Sequence, residues 1–351
     1  MTTKTTDKVE FVRPADALAE EPEVRPAPPA SLVLPVMPTA LHFRRSHFPI
    51  PATRPAVSLS GAVGKPVRLT VDELRERWSP RTVSVVLECA GHRRRELRPE
   101  TPGIPWGLGA MSEAEWTGTP LRDVLAAAAL SPRAISVAFR GSDRGSHRAA
   151  EGTESFGRGI ALAKALDPDT LLAWEMNGQP IPAVHGGPLR AIVPGHYAVD
   201  SVKWLASIDV LEHGFDGVFQ ARDYRLYVLD GEPEGVELHE LPVHALLVRP
   251  ADGERIDRGR STLSGIAWGG RGGVARVEVS VDGRGWRDAE LEPSTRWGRV
   301  FWRHSWYARP GLHAIAVRAT DQAGVQQPDA PPWNELGYAN NSVHRAALSV
   351  R

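Results

Sequence analysis

The feature that most restricts what this chain can fold into is the set of alternating runs in its last hundred or so residues. Val274-Ala275-Arg276-Val277-Glu278-Val279-Ser280-Val281 alternates apolar and polar, then stops at Asp282-Gly283. That dipeptide favours a tight hairpin turn. Leu312-His313-Ala314-Ile315-Ala316-Val317-Arg318-Ala319 follows and is closed by Asp321-Gln322-Ala323-Gly324. Little here has a helical period, and sheets with one apolar face bury it against each other. The spacing predicts an all-β sandwich of immunoglobulin type over 236–351. Trp268, Trp286, Trp297, Trp302, Trp306 and Trp333 crowd this region. They are expected to fill its core and edges, and any exposed ones suit a subunit contact.

The boundary is expected between 232 and 245, around Glu232-Pro233-Glu234-Gly235. Ahead of it the pattern is mixed. Val57-Ser58-Leu59-Ser60-Gly61 and Ile135-Ser136-Val137-Ala138-Phe139 alternate as strands. Thr70-Val71-Asp72-Glu73 carries the signature of a capped helix start. Leu121–Ala128 reads as a helix ending before Ser131-Pro132, and Ile160–Leu166 as a short one ended by Asp167-Pro168. Strands and helices do not alternate strictly, so residues 39–235 read as an α+β domain. Residues 1–38, with Pro26-Ala27-Pro28-Pro29 and little apolar period, read as an extended or disordered arm.

Forty-two basic residues face 42 acidic ones. That balance argues against nucleic acid or an anionic membrane surface as partner. No apolar run reaches the length of a membrane span. The N-terminus has neither an apolar signal core nor a twin-arginine start. The expected compartment is the cytoplasm, or the periplasm if a leader was removed.

Cys89 is the single cysteine, so a disulfide framework is excluded. It follows the apolar run Val83–Leu87 and sits in Glu88-Cys89-Ala90-Gly91-His92-Arg93-Arg94-Arg95. A thiol that merely ends a buried strand is one reading. Positive charge within six residues favours a thiolate instead, as nucleophile or metal ligand. Further polar clusters sit beside Gly and Pro turns, where backbone N–H groups are free to join in anion binding. These are His42–Pro51, Gly103-Ile104-Pro105-Trp106, Gly141-Ser142-Asp143-Arg144-Gly145, His185–Arg190 and Arg222-Asp223-Tyr224.

Taken in order, Cys89-Ala90-Gly91-His92-Arg93-Arg94, His185-Gly186-Gly187-Pro188-Leu189-Arg190, Ser201-Val202-Lys203-Trp204-Leu205 and a closing Trp333-Asn334-x-x-Gly337-Tyr338-x-x-Asn341-x-x-His344-Arg345 resemble the sulfite oxidase family of molybdenum enzymes. The resemblance runs from about His42 to the C-terminus. It implies a mixed α/β molybdopterin-binding domain followed by an immunoglobulin-like dimerisation domain, and a twofold homodimer.

The resemblance also implies a molybdenum–molybdopterin cofactor with Cys89 as the protein's metal ligand. Cofactor contacts are carried over to Arg45, His47, Asp143, His185, Arg190, Ser201, Val202 and Lys203. Arg45, Arg94, Trp106 and Tyr224 match the family's substrate pocket, and Arg345 is carried over as a further guanidinium from the second domain. The implied reaction oxidises a small oxyanion, sulfite. No Cys-x-x-Cys-His occurs, so no covalent haem is expected in this chain. Electrons are expected to leave to a cytochrome, a quinone-linked partner or oxygen. Alternatives are action on another small sulfur or nitrogen oxo-species, sulfoxide reduction included, a cysteine hydrolase using Cys89, or a catalytically weak cofactor-binding homologue.

Three positions depart from the family pattern: Ser46 and His92 each replace an Asn, and Asp200 replaces an Arg. A carboxylate at 200 is expected to weaken binding of a dianion unless a neighbouring arginine pairs with it.

Overall fold

The computed structural model describes residue 18 and residues 22–52, 56–227, 235–331 and 333–351. The first domain is built on two sheets. Strands β1 (Ala56–Gly61), β2 (Val67–Thr70), β3 (Arg81–Glu88), β4 (Met111–Pro120), β5 (Ser136–Ser146), β6 (Thr153–Ala161), β7 (Leu171–Met176), β8 (Arg190–Ile192) and β9 (Leu205–Leu211) carry it. One sheet runs β3–β4–β7 with β8 paired back on β7, and the other runs β2–β1–β9–β5–β6. β9 is parallel to β1 and antiparallel to β5.

The helices are few and short. α1 (Val71–Arg77) starts where the sequence predicts: Thr70 Oγ1 accepts from Glu73 N–H and Glu73 accepts from Thr70 N–H. This reciprocal box satisfies donors that a helix start leaves open. α2 (Leu121–Ala127) turns Leu121, Val124 and Leu125 into the core with Leu59, Phe139, Leu172 and Ile208. The predicted helix over Ile160–Leu166 shrinks to α3 (Leu162–Ala165), because Ile160 and Ala161 finish β6 by pairing with Val137 and Ser136. Cross-strand bonding to β5 outweighs local propensity there.

The second domain is the expected sandwich. β10 (His244–Arg249), β11 (Gly259–Trp268) and β13 (Val300–Ala308) lie in one sheet, and β12 (Val274–Val281), β14 (Gly311–Asp321) and β15 (His344–Val350) in the other. Leu263, Val277, Val317, Leu348 and Trp302 interdigitate between them. Asp282 and Gly283 both take positive φ, and Arg284 N–H bonds Val281 C=O, so the predicted turn forms.

Over 22–38 the expected arm is an extended segment packed against the body of the protein; residues 1–17 and 19–21 lie outside the described residues, as do 231–234 at the expected boundary. Val24-Arg25 pairs with Arg44-Arg45, and Ala27, Leu32 and Met37 are buried beside Tyr197, Ile266 and Trp268. The segment is a strap between two domains, and it buries these few apolar side chains. Arg299 of the second domain holds it, donating to Leu32 C=O at 2.5 Å and Leu34 C=O at 3.1 Å, with Nε on Glu113.

Candidate active site

A cavity of about 840 Å³, its mouth included, opens where the two sheets of the first domain meet the His42–His47 segment. β3 ends at its floor, and Cys89 is the next residue. The Cys89 thiol is partly exposed and accepts no hydrogen bond from the described residues. Arg45, His47, Asp143, His185, Arg190, Ser201, Lys203 and Tyr224 share the cavity with it. These expected residues are therefore brought together from segments up to 179 positions apart in the sequence, between Arg45 and Tyr224.

Four cations, Arg44, Arg45, Arg190 and Lys203, line the cavity against one carboxylate, Asp143. Arg44 is paired with Glu23 at 2.8 Å. Arg190 is buried with no carboxylate among the described residues. It donates to the His185 and Ser201 carbonyls at 2.7 Å each and lies over the Trp116 ring. Burial pulls its pKa down to about 9. Lys203 Nζ donates to Arg45 C=O at 2.9 Å and Ser46 Oγ at 2.5 Å. Burial lowers the Lys203 ammonium and raises the Asp143 carboxyl, each opposed by the other's charge. Such a concentration of desolvated cations is stabilised by a bound anion.

Glycines allow the crowding. A Cβ on Gly141 would lie 2.2 Å from Asp143 Oδ1 and 2.9 Å from Lys203 C=O. Gly186 has φ +96°, and a Cβ there would meet Lys203 at 2.6 Å.

His47 is held neutral, its pKa driven well down by burial and then by Arg45 and Lys203. Arg45 Nη2 approaches His47 Nδ1 at 3.3 Å and can only donate. The His47 proton therefore sits on Nε2, which donates to the Tyr224 oxygen at 2.6 Å. That leaves the Tyr224 O–H free to donate into the cavity. Tyr224 itself stands at φ +46°, a left-handed conformation costly for an aromatic residue. Tyr338 stacks on it with ring centroids 5.4 Å apart, and Arg158 lies under its ring at 5.6 Å. His185 is neutral too, with burial pushing it to about 3, and Nε2 bonds Thr39 C=O at 3.1 Å.

Four expected residues do not line this cavity. Val202 is core, packed with Leu189 and Leu205. Arg94 spends its guanidinium on the Leu336, Gly337 and Ile104 carbonyls and covers the Tyr338 ring. Trp106 has no exposed surface and packs behind Cys89 with Val24 and Phe43. Arg345 lies apart from the cavity: it is bonded to Asp329 on the second domain's surface and lines a groove there with Trp286. Being next to His344 on an alternating strand, it points to the face opposite that buried residue.

Asp200 answers the charge question raised by its sequence position. It has no exposed surface; Arg158 Nε meets Oδ1 at 2.8 Å, and His196 and His239 meet Oδ2 at 2.9 and 2.7 Å. Burial opposes its ionisation, but Arg158 and the two imidazoles outweigh it and hold the carboxyl far below its usual range. The charge is neutralised behind Tyr224 and does not face the cavity.

Sequence reasoning missed Ser112 and Phe156, and carried His42 and Arg44 only as members of the His42–Pro51 cluster, with no role of their own. Phe156 stacks on His47 at 5.2 Å, and Ser112 Oγ accepts from Phe43 N–H. Ser112 and Phe156 are single residues on strands with no local signal.

The comparisons agree with this geometry. Residues 47–219 match the oxidoreductase molybdopterin binding domain, and residues 236–351 the Mo-co oxidoreductase dimerisation domain. Mitochondrial sulfite oxidase of Mus musculus is 35% identical over 97% of this chain and 68% of its own length. Sulfite oxidase of Gallus gallus is 35% identical over 91% of this chain and 74% of its own. A nitrate reductase [NADH] of Oryza sativa subsp. japonica is 32% identical over 90% of this chain and 38% of its own. In fold, the chain superposes with a TM-score of 0.80 on the sulfane dehydrogenase SoxCD of Paracoccus pantotrophus, at 22% identity, over 97% of this chain and 86% of that one.

Proposed function

The chain belongs to the sulfite oxidase family of molybdopterin oxidoreductases, and from that premise we propose that it oxidises sulfite to sulfate and passes the electrons to an external acceptor. The observation that carries this reading is the cavity around the Cys89 thiol, lined by Arg44, Arg45, Arg190 and Lys203 against Asp143 alone. A phosphate-bearing dithiolene needs such a basic cradle, and molybdenum a soft thiolate beside it.

Cys89 would ligate the metal, and Arg190, His185, Ser201, Lys203 and Asp143 would hold the pterin and its phosphate. When bound, the cofactor supplies two-electron redox chemistry and oxygen-atom transfer. The overall change is sulfite plus water to sulfate, two protons and two electrons, the last going to the acceptor. The chain's own residues contribute charge and orientation. Arg45 attracts the dianion and fixes the His47 tautomer. His47 in turn aims the Tyr224 hydroxyl hydrogen into the cavity, where it can donate to an oxyanion and strengthen as charge develops.

The test is elemental analysis beside sulfite-dependent ferricyanide reduction. Stoichiometric molybdenum with turnover is expected. Cys89→Ser should abolish turnover, and Arg45→Gln should raise the sulfite KM more than it lowers kcat. Molybdenum without sulfite turnover, but with nitrate reduction by a reduced dye, would move the substrate to the other chemistry represented among the relatives.

A further inference from the structure

Outside the cavity, two clusters of ligating side chains occur among the described residues. In one, His196 and His239 both bond Asp200, and the Arg158 guanidinium already fills the place of a cation. The other is Glu88, His92 and His244, all buried, with their ligand atoms within 4.8 Å of one another. Both ring nitrogens of His92 and both of His244 lack a hydrogen-bond partner. His244 Nε2 lies 3.2 Å from Glu88 Oε1 without hydrogen-bond geometry. Each such buried, unsatisfied nitrogen costs about 1–3 kcal/mol, and one nitrogen of each ring lies within 4.8 Å of the Glu88 carboxylate, which calls for an occupant.

We propose that Glu88, His92 and His244 bind a divalent transition ion, zinc by ligand type, at a structural site separate from molybdenum. Two imidazoles and a carboxylate are a zinc donor set, and tetrahedral zinc would hold them roughly 3.4 Å apart. The ligand atoms lie within 4.8 Å of one another, so binding would require the side chains to rotate inward. The carboxylate already has an orienting partner. Trp268 Nε1 donates to Glu88 Oε2 at 2.6 Å, leaving Oε1 for the ion, and the His244 ring lies parallel on Trp268 at 4.8 Å. The neighbouring cation, Arg93, is paired with Glu96 at 2.6 Å and bonds Ser342 C=O. The ion's charge would therefore be met by Glu88. Glu88 and His92 flank Cys89, whereas His244 belongs to β10. The ion would pin the second domain to the loop that carries the thiol.

Molybdenum-loaded protein is to be produced in minimal medium supplemented with zinc, and in parallel with cobalt. Both metals and molybdenum are then measured per chain. Zinc at one equivalent is expected, and in the cobalt preparation the visible absorption of a tetrahedral N/O site. His92→Asn and Glu88→Gln should each reduce zinc to background, with molybdenum content and near-UV dichroism reporting that the fold is intact. Zinc at background in the wild-type protein with no cobalt band, or zinc retained in both variants, would overturn the site and leave a water-bridged polar cluster. The wild-type result decides even if a variant fails to fold.

Discussion

At the scale of single residues, the site depends on which atoms carry protons. Tyr224→Phe removes the hydroxyl that His47 orients and should lower kcat/KM for sulfite by about 10–100-fold, the worth of one hydrogen bond to a charged group. Steady-state kinetics checks this, and a change below twofold would remove Tyr224 from the chemistry. Asp200→Asn is expected to behave differently. It leaves Arg158 buried and unpaired, which costs about 3–5 kcal/mol of stability, while the sulfite KM stays near the wild-type value because the carboxylate does not face the cavity. Urea denaturation and kinetics on the same preparation separate the two. The sequence carried a residue such as Cys89 or Lys203 in a recognisable motif. It did not carry Arg158, which lies on β6 with no motif around it, and so could not say whether Asp200 was exposed or neutralised. A charge's effect depends on its partners in space, and two of the three here, Arg158 and His239, are 42 and 39 positions away.

At the scale of elements, legibility follows how local the cause is. The Thr70 box and the Asp282-Gly283 turn are decided within four residues and were read correctly. Ile160-Ala161 were misread because their fate depends on β5, more than twenty positions back. The packing of residues 22–38 was not legible because what holds them, Arg44, Gly109 and Asn177 in the first domain and Arg299 in the second, lies far off in sequence. Arg299→Ala should show this. It strips the Leu32 and Leu34 carbonyls of a donor and leaves Glu113 uncompensated, so a loss of about 3–5 kcal/mol is expected. Limited proteolysis should then cut first within 22–38. Unchanged cleavage kinetics would mean that the strap is held by its apolar side chains alone.

At the scale of the whole molecule, neutral buried histidines set the acid limit. Burial, the largest cause for each, lowers His42 to about 4 and His185 and His344 to about 3, against roughly 6.5 in the unfolded chain. Between those values the unfolded state binds more protons, so stability must fall as pH falls. His239, raised by Asp200 against the effect of burial, and His313, raised by its bond to the Arg309 carbonyl and by Asp282, act in the opposite sense, but they are outnumbered by the lowered ones. Unfolding free energy should therefore decline from just below pH 6.5, well above the carboxylate range. A flat profile between pH 6.5 and 5 would contradict it. The match to a dimerisation domain over 236–351 leads us to expect a solution mass of twice the 38.2 kDa chain, measurable by light scattering.

The clamp on the Cys89 loop also imposes an order in time. Ala339 N–H bonds Ala90 C=O, Asn340 donates to Arg93 C=O, and Arg93 reaches Ser342 across 249 positions. At roughly 5–20 residues per second of synthesis, that buttress emerges on the order of 10–50 s after the thiol does. The first domain can collapse while its metal-ligand loop is still unsupported on one side. Loading of the cofactor thus belongs after translation, and a ribosome stalled before residue 334 would hold a nascent chain with a thiol but no finished socket.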